Sequence, residues 1–253
     1  MPSLFDYLII GFVAAAVTFL TTPVVSKIAQ RRGWVAQPND RSVHTTAIPN
    51  VGGLGMLLGL VIALAFAQSL DRFDALFDRN IEQIGVILAA LAITAIGFFD
   101  DTRDLAPPAK VTGIVVAAML LTWFGATMYY FRVPYFDVFI LSGDWQPVVT
   151  VIWLLGMTQA INLIDGLDGL AAGIVAIGAG AFFLYAFKLS DLGLLSQPNL
   201  GPLVAIIAAG IAIGFLPHNF NPATIFMGDG GAFLLGLLLA VATGMVGGRA
   251  DPL

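Results

Sequence analysis

The sequence predicts an all-α, polytopic integral membrane protein, and three observations carry that prediction. Apolar residues make up 58% of the 253 residues and charged residues only 11%, against roughly 45–50% and about 25% in a soluble globular chain. Mean hydropathy is +0.92. The apolar residues fall into continuous runs rich in Ala, Leu and Gly rather than alternating ones, which favours bilayer-crossing helices over barrel strands. The absence of Cys excludes disulfides, thiolate catalysis and Cys-ligated metals. A formal charge of −5, from 16 acids and 11 bases, argues against a nucleic-acid partner.

Taking about 20 residues per span, eight runs qualify: 5–26, 52–70, 83–99, 111–131, 147–163, 170–187, 201–217 and 230–247. The first is not a signal peptide, because Asp6 precedes its apolar part and no Lys or Arg does. Lys27, Arg31, Arg32 and Arg41 follow it. By the positive-inside rule the N-terminus lies outside and the first loop in the cytoplasm. Eight spans then place 27–51, 100–110, 164–169 and 218–229 on the cytoplasmic face. Those four loops hold the dense polar strings RSVHTTAIPNVGG, DDTRDLAPPAK, NLIDGLDGLAAG and HNFNPATIFMGDGG. The loops 71–82, 132–146, 188–200 and the tail past 247 read as connectors. Four segments far apart in sequence are thus expected to converge on one face.

The third run ends in Asp100 and Asp101, with Asp104 three residues on. A helix C-terminus disfavours carboxylates, so a cation or basic group is expected there; a hydrated stop signal is the plainer alternative. Asn162, Asp165 and Asp168 stand three apart and line one face if the helix continues. N-capping of the sixth span is the alternative, which leaves Asn162 unexplained. Asp229 sits among Gly228, Gly230 and Gly231, a pattern that suits close backbone approach to a ligand or an N-cap. Phe226, three residues earlier, either stacks on a flat ring or packs in the core. Lys110 contacts an anion or snorkels. His44 and His218 read individually as loop histidines. Clustered acids and an Asn suit a hard cation, Mg²⁺ with Mn²⁺ as its substitute, and that combination implies phosphoryl chemistry at a membrane surface.

In order and spacing, IPNVGG, GFFDDTRD, NLIDGLDGLAAG and HNFNPATIFMGD resemble the polyprenyl-phosphate N-acetylhexosamine-1-phosphate transferases of glycosyltransferase family 4, over almost the whole chain. The likeness is greater to the bacterial N-acetylglucosamine branch than to the branch using UDP-N-acetylmuramoyl-pentapeptide. The resemblance implies a bacterial plasma-membrane enzyme in which undecaprenyl or decaprenyl phosphate attacks the β-phosphate of a UDP-N-acetylhexosamine. UMP leaves, and a lipid-linked sugar that starts cell-wall or surface glycan synthesis remains. By motif position, Asp229 is a Mg²⁺ ligand, with Asn162 or Asp165 completing or supporting that site. Asp168 and Phe226 hold the uracil, Lys110 contacts phosphate, and Asp100 and Asp101 sit beside the lipid phosphate. Asp104 takes the third place of a DDxxD pattern, and His44 and Asn221 join the substrate-binding set. The expected partners are the UDP-sugar, polyprenyl phosphate, membrane lipid and a second copy of the chain, with no nucleic acid.

One departure stands out. Family members continue past the FMGD span with further helices and a cytoplasmic loop rich in His and Arg, whereas this sequence stops at GGRADPL. Residues 1–253 are therefore expected to form a single transferase domain that lacks those parts, binds UDP-sugar weakly and turns over slowly or not at all. Competing readings are an intramembrane DDxxD prenyltransferase, which lacks a counterpart for NLIDGLDG and FMGDGG, and an ion transporter, which predicts midplane acids and an internal repeat. A non-catalytic scaffold leaves the acid clustering unexplained.

Overall fold

A computed structural model of the chain describes residues 2–37, 47–77, 81–132 and 138–250. Hydrocarbon offers backbone N–H and C=O groups no water, so apolar runs of this length fold as helices that satisfy themselves. The helices are α1 (Leu4–Arg32), α2 (Gly53–Gln68), the short α3 (Asp74–Phe77), α4 (Glu82–Arg103), α5 (Pro107–Trp123), α6 (Trp145–Ile164), α7 (Leu170–Asp191), α8 (Gly201–Asn219) and α9 (Gly228–Gly247). A long helix thus stands on each expected apolar run.

The span count is lower than the run count. Among the described residues six helices, α1, α4, α6, α7, α8 and α9, are long and apolar enough to cross a membrane. A seventh span results if α2 and the short helical segment after it, bent by 94°, count as one. The fourth run contributes a shorter helix: α5 ends at Trp123 after 17 residues, well before the expected 131. Two small antiparallel pairs also qualify the all-α expectation. They are β1 (Val35–Ala36) with β2 (Ile48–Pro49), and β3 (Tyr130–Arg132) with β4 (Val138–Ile140). Both lie in connections and leave the bundle helical.

Two helix ends run further than their apolar runs. α1 continues through Arg32, so Lys27, Arg31 and Arg32 lie on the helix. α4 continues through Arg103, so Asp100 and Asp101 belong to its last turns and the link to α5 shrinks to residues 104–106. Pro107 then opens α5, a position where its missing N–H costs nothing.

α8 and α9 form the centre. In their most apolar stretches 78% and 89% of residues are buried, against 22–44% in the other spans. α9 packs on α2, α4, α6 and α8, and α8 packs on α1 and α7. The approach of α4 to the start of α9 depends on Gly97, where a Cβ would collide with the backbone of Asp229 and Gly230. The far ends of α4 and α9 are tied by a buried ion pair, Arg249 Nη1 to Glu82 Oε1 at 2.7 Å. Arg249 also donates to the carbonyls of Thr127 (3.0 Å) and Gly125 (2.7 Å). Sequence reading placed Arg249 in a connecting tail past residue 247; packing makes it an internal strut.

Candidate active site

Four segments meet where α9 begins. The first is the IPNVGG segment, which lies alongside FMGD. Phe226 N–H donates to the Pro49 carbonyl at 2.8 Å, Gly52 N–H to the Phe226 carbonyl at 3.0 Å, and Gly53 N–H to the Met227 carbonyl at 2.9 Å.

The second is the end of α4. Asp101 Oδ1 accepts the Asp229 N–H at 2.9 Å, and its Oδ2 accepts the Gly230 N–H at 3.2 Å. Met227 occupies the N-cap position of α9 and makes no side-chain cap bond. A helix start leaves its first N–H groups without partners, and Asp101 supplies them from another helix. Asp229 therefore does not cap its own helix and projects into the site.

The third is the start of α5. Lys110 Nζ forms ion pairs with Asp100 and with Asp229 Oδ2, the latter at 3.3 Å. The other oxygen of Asp100 accepts the Leu105 N–H at 2.8 Å. The fourth is the end of α6, where Asn162 Nδ2 donates to Asp229 Oδ1 at 2.9 Å. Asp229 is thus the hub: its N–H goes to Asp101, one oxygen to Asn162 and the other to Lys110.

NLIDGLDG does not continue as a helix. α6 stops at Ile164 and Asp165 leaves helical geometry with ψ 51°, so Asn162, Asp165 and Asp168 do not share one helix face. Asp168 turns instead to the loop before α9, where its Oδ2 accepts from Asn221 Nδ2 and from the Ala223 N–H, both at 3.0 Å. Gly169, not Asp168, holds the N-cap position of α7. Asn219 braces the same corner: its Oδ1 accepts the Gly169 N–H and its Nδ2 donates to the Ile225 carbonyl, both at 3.1 Å. Burial pushes the Asp165 carboxyl up to about 7, and the charges of Asp229 and Asp168 add to it. Phe226 is half-buried in the strip that pairs with residues 49–52.

Other expected site residues stand apart. Asp104 ends α4 in left-handed geometry (φ 54°) with its side chain exposed. His44 lies outside the described residues. His218, read as a loop histidine rather than a site residue, lies in the last turn of α8 and sets its Nε2 3.0 Å from the Phe19 carbonyl, on the α1 side.

Among the described residues no group of three or more His, Cys, Asp or Glu side chains forms a metal cage. Mg²⁺ does not require one: it commonly takes one or two carboxylates and completes its shell with water and phosphate oxygens. Asp100 and Asp229 both converge on one ammonium, so two carboxylates already face one position of positive charge. Carboxylates placed this way could hold a hard divalent cation, and Asn162 is bonded to one of them, Asp229.

Sequence reading assigned no role to Asn50 or Asn219. The signal was present in both cases, since an Asn at the edge of an apolar segment needs partners, but its partner cannot be named before the fold is known.

The model for glycosyl transferase family 4 matches residues 83–247. The chain is 36% identical over 240 residues to the decaprenyl-phosphate N-acetylglucosaminephosphotransferase of Mycobacterium leprae, covering 93% of this chain and 60% of that protein. It is 32% identical over 235 residues to a probable undecaprenyl-phosphate N-acetylglucosaminyl 1-phosphate transferase of Bacillus subtilis, covering 92% and 62%. A phospho-N-acetylmuramoyl-pentapeptide-transferase of Desulfitobacterium hafniense is 33% identical over 215 residues, covering 78% and 61%. The chain spans about three-fifths of the length of these relatives. The match runs from the first turn of α4 to the end of α9 and takes in every side chain that converges on Asp229, and on that ground the chain belongs to glycosyl transferase family 4.

Proposed function

We propose that this chain transfers N-acetylglucosamine-1-phosphate from UDP-N-acetylglucosamine to a polyprenyl phosphate, at the cytoplasmic face of a bacterial plasma membrane, and so starts a lipid-linked glycan. The observation that carries the reading is the convergence of Lys110, Asn162 and Asp100 on Asp229 from three other helices. The names of the relatives supply the sugar and the lipid. All eight long helices then cross the bilayer, α5 as a short span, with the N-terminus outside.

In this reaction an oxygen of the lipid phosphate attacks the β-phosphorus of the UDP-sugar. The bond from that phosphorus to the bridging oxygen breaks, and UMP leaves. A phosphate monoester has a second pKa near 6, so the nucleophile is largely ionised at neutral pH and needs little help from a base. Bringing two anions together is the harder task, and charge neutralisation dominates it. Lys110 supplies one cation. Asp100, fixed by Leu105, holds that ammonium in place, so its role is to aim Lys110 rather than to remove a proton. Asp229 and Asp165 would hold Mg²⁺, which when bound supplies Lewis-acid stabilisation to the phosphates. Asp168, with its Oδ2 fixed by Asn221 and Ala223, presents its other oxygen to an N–H of the base.

Membranes containing the chain, given labelled UDP-N-acetylglucosamine and undecaprenyl phosphate, should yield a labelled lipid and UMP. Failure of wild type, with Asp229→Asn equally inactive, would overturn the proposal. UDP-N-acetylmuramoyl-pentapeptide in a parallel reaction tests the second reading, which the Desulfitobacterium relative favours.

A further inference from the structure

The IPNVGG string carries no ionisable group and takes no part in the chemistry above. We propose that its Asn50 is a positioning residue, acting through Asp101 to set where the carboxylate of Asp229 stands. The proposal rests on Asp229 being the centre of the transfer site.

Asp101 Oδ1 accepts from two directions: the Asp229 N–H at 2.9 Å and Asn50 Nδ2 at 3.0 Å. The two backbone donors, Asp229 and Gly230, come from a single turn and approach the carboxylate from one side. They hold both carboxylate oxygens from the α9 side. Asn50 supplies the donor from the other side.

Asn50 is itself held firmly. Its N–H donates to the Trp34 carbonyl at 3.2 Å, and its neighbours pair with Phe226 through Pro49 and Gly52. The strip that carries Asn50 is therefore in register with the strip that leads into Asp229. Between them, Gly228 takes φ +67°, and a Cβ there would collide with the Asn50 carbonyl and the Asp101 carboxylate. Asn50, Asp101 and the first turn of α9 thus pack without room for a side chain.

Removing the Asn50 side chain leaves every backbone bond between residues 49–53 and 226–227 in place. What is lost is one of the three hydrogen bonds that fix the Asp101 carboxyl, and with it the tie between the residue 49–53 strip and the first turn of α9. Both Asp101 oxygens face N–H donors, so its part is to orient the helix start rather than to bind a cation.

The test uses the full chain in nanodiscs as wild type, Asn50→Ala, Asp101→Ala and the double variant. Asn50→Asp keeps the shape without the amide donor and serves if Asn50→Ala does not fold. Hydrogen exchange of the Asp229 and Gly230 amides should rise by about threefold to tenfold in Asn50→Ala, the net weight of one hydrogen bond. Exchange in the distal half of α9 should not change. Mn²⁺ binding, read by its EPR spectrum, should weaken, and kcat should fall with KM for UDP-N-acetylglucosamine unchanged. In the Asp101→Ala background, which has no acceptor left, the Asn50 substitution should add nothing, because both act on one contact. Unchanged exchange at residues 229–230, or losses that simply add, would overturn the proposal. Wild type that neither transfers nor binds Mn²⁺, while the exchange pattern holds, would sink the transferase reading and leave the Asn50–Asp101 relation standing.

Discussion

Gly97→Ala tests how closely α4 must approach α9. A Cβ at residue 97 would stand 2.5 Å from the Asp229 carbonyl carbon and closer still to the Gly230 backbone, whereas ordinary contact begins at 3.4 Å. The obstacle is backbone, so it cannot rotate away; the helices must part by about 1 Å. Asp100 and Asp101 lie one turn further along α4 and move with it. Overpacking of this kind costs about 1–3 kcal/mol, and a displacement of about 1 Å at reacting groups can cost on the order of 100-fold in rate. Gly178 on α7 is the control, since a Cβ there meets nothing within 4 Å. Alanine at an exposed helix position should stabilise by about 1 kcal/mol. The assay is transfer of labelled sugar phosphate per folded molecule, with unfolding midpoints in the same detergent. Gly97→Ala should lose about 100-fold in transfer and Gly178→Ala almost nothing. If Gly97→Ala matches wild type in both rate and midpoint, the α4–α9 crossing does not set the geometry of the acids.

Three further outcomes are expected. Lys110→Met removes the cation shared by Asp100 and Asp229 and should lower transfer by about 100-fold or more; recovery in excess Mg²⁺ would show that any positive charge suffices. Arg249→Leu leaves Glu82 buried without its partner and should destabilise by about 3–5 kcal/mol in detergent unfolding, with partial recovery on adding Glu82→Gln; a loss below about 1 kcal/mol would mean the pair is hydrated. In chelator, the Asp165 carboxyl, raised to about 7 by burial, binds its proton more tightly folded than unfolded. Its contribution to stability is therefore lost as pH rises from about 4 through 7. Asp165→Asn should unfold later than wild type at pH of about 8, with the difference closing toward about pH 4; parallel unfolding curves at all pH values would refute that burial.

Part of the site was legible before any fold was known, because its signals are local. Loop parity alone put DDTRD, NLIDGLDG, FMGD and IPNVGG at one end of the bundle, and the structure brings them together at the start of α9. What that parity could not give was which side chain meets which. Asp100 and Asp101 look equivalent in sequence. Successive helical residues point about 100° apart, so one turns to Lys110 and the other to the N–H groups of α9. Asp168, for which helix capping was the alternative reading, does not cap α7 and is a loop clasp, because α6 breaks at Asp165.

Hydropathy therefore determined where the helices lie and what chemistry collects at one end, since a run of apolar residues in lipid has few other choices. Only the tertiary structure decided the shorter α5, the buried Arg249–Glu82 strut and the tie from Asn50 through Asp101 to Asp229. Each depends on how helices cross and where they stop, and on partners more than 50 residues away in sequence. A buried polar group announces in sequence that it needs a partner; packing alone chooses which one it receives.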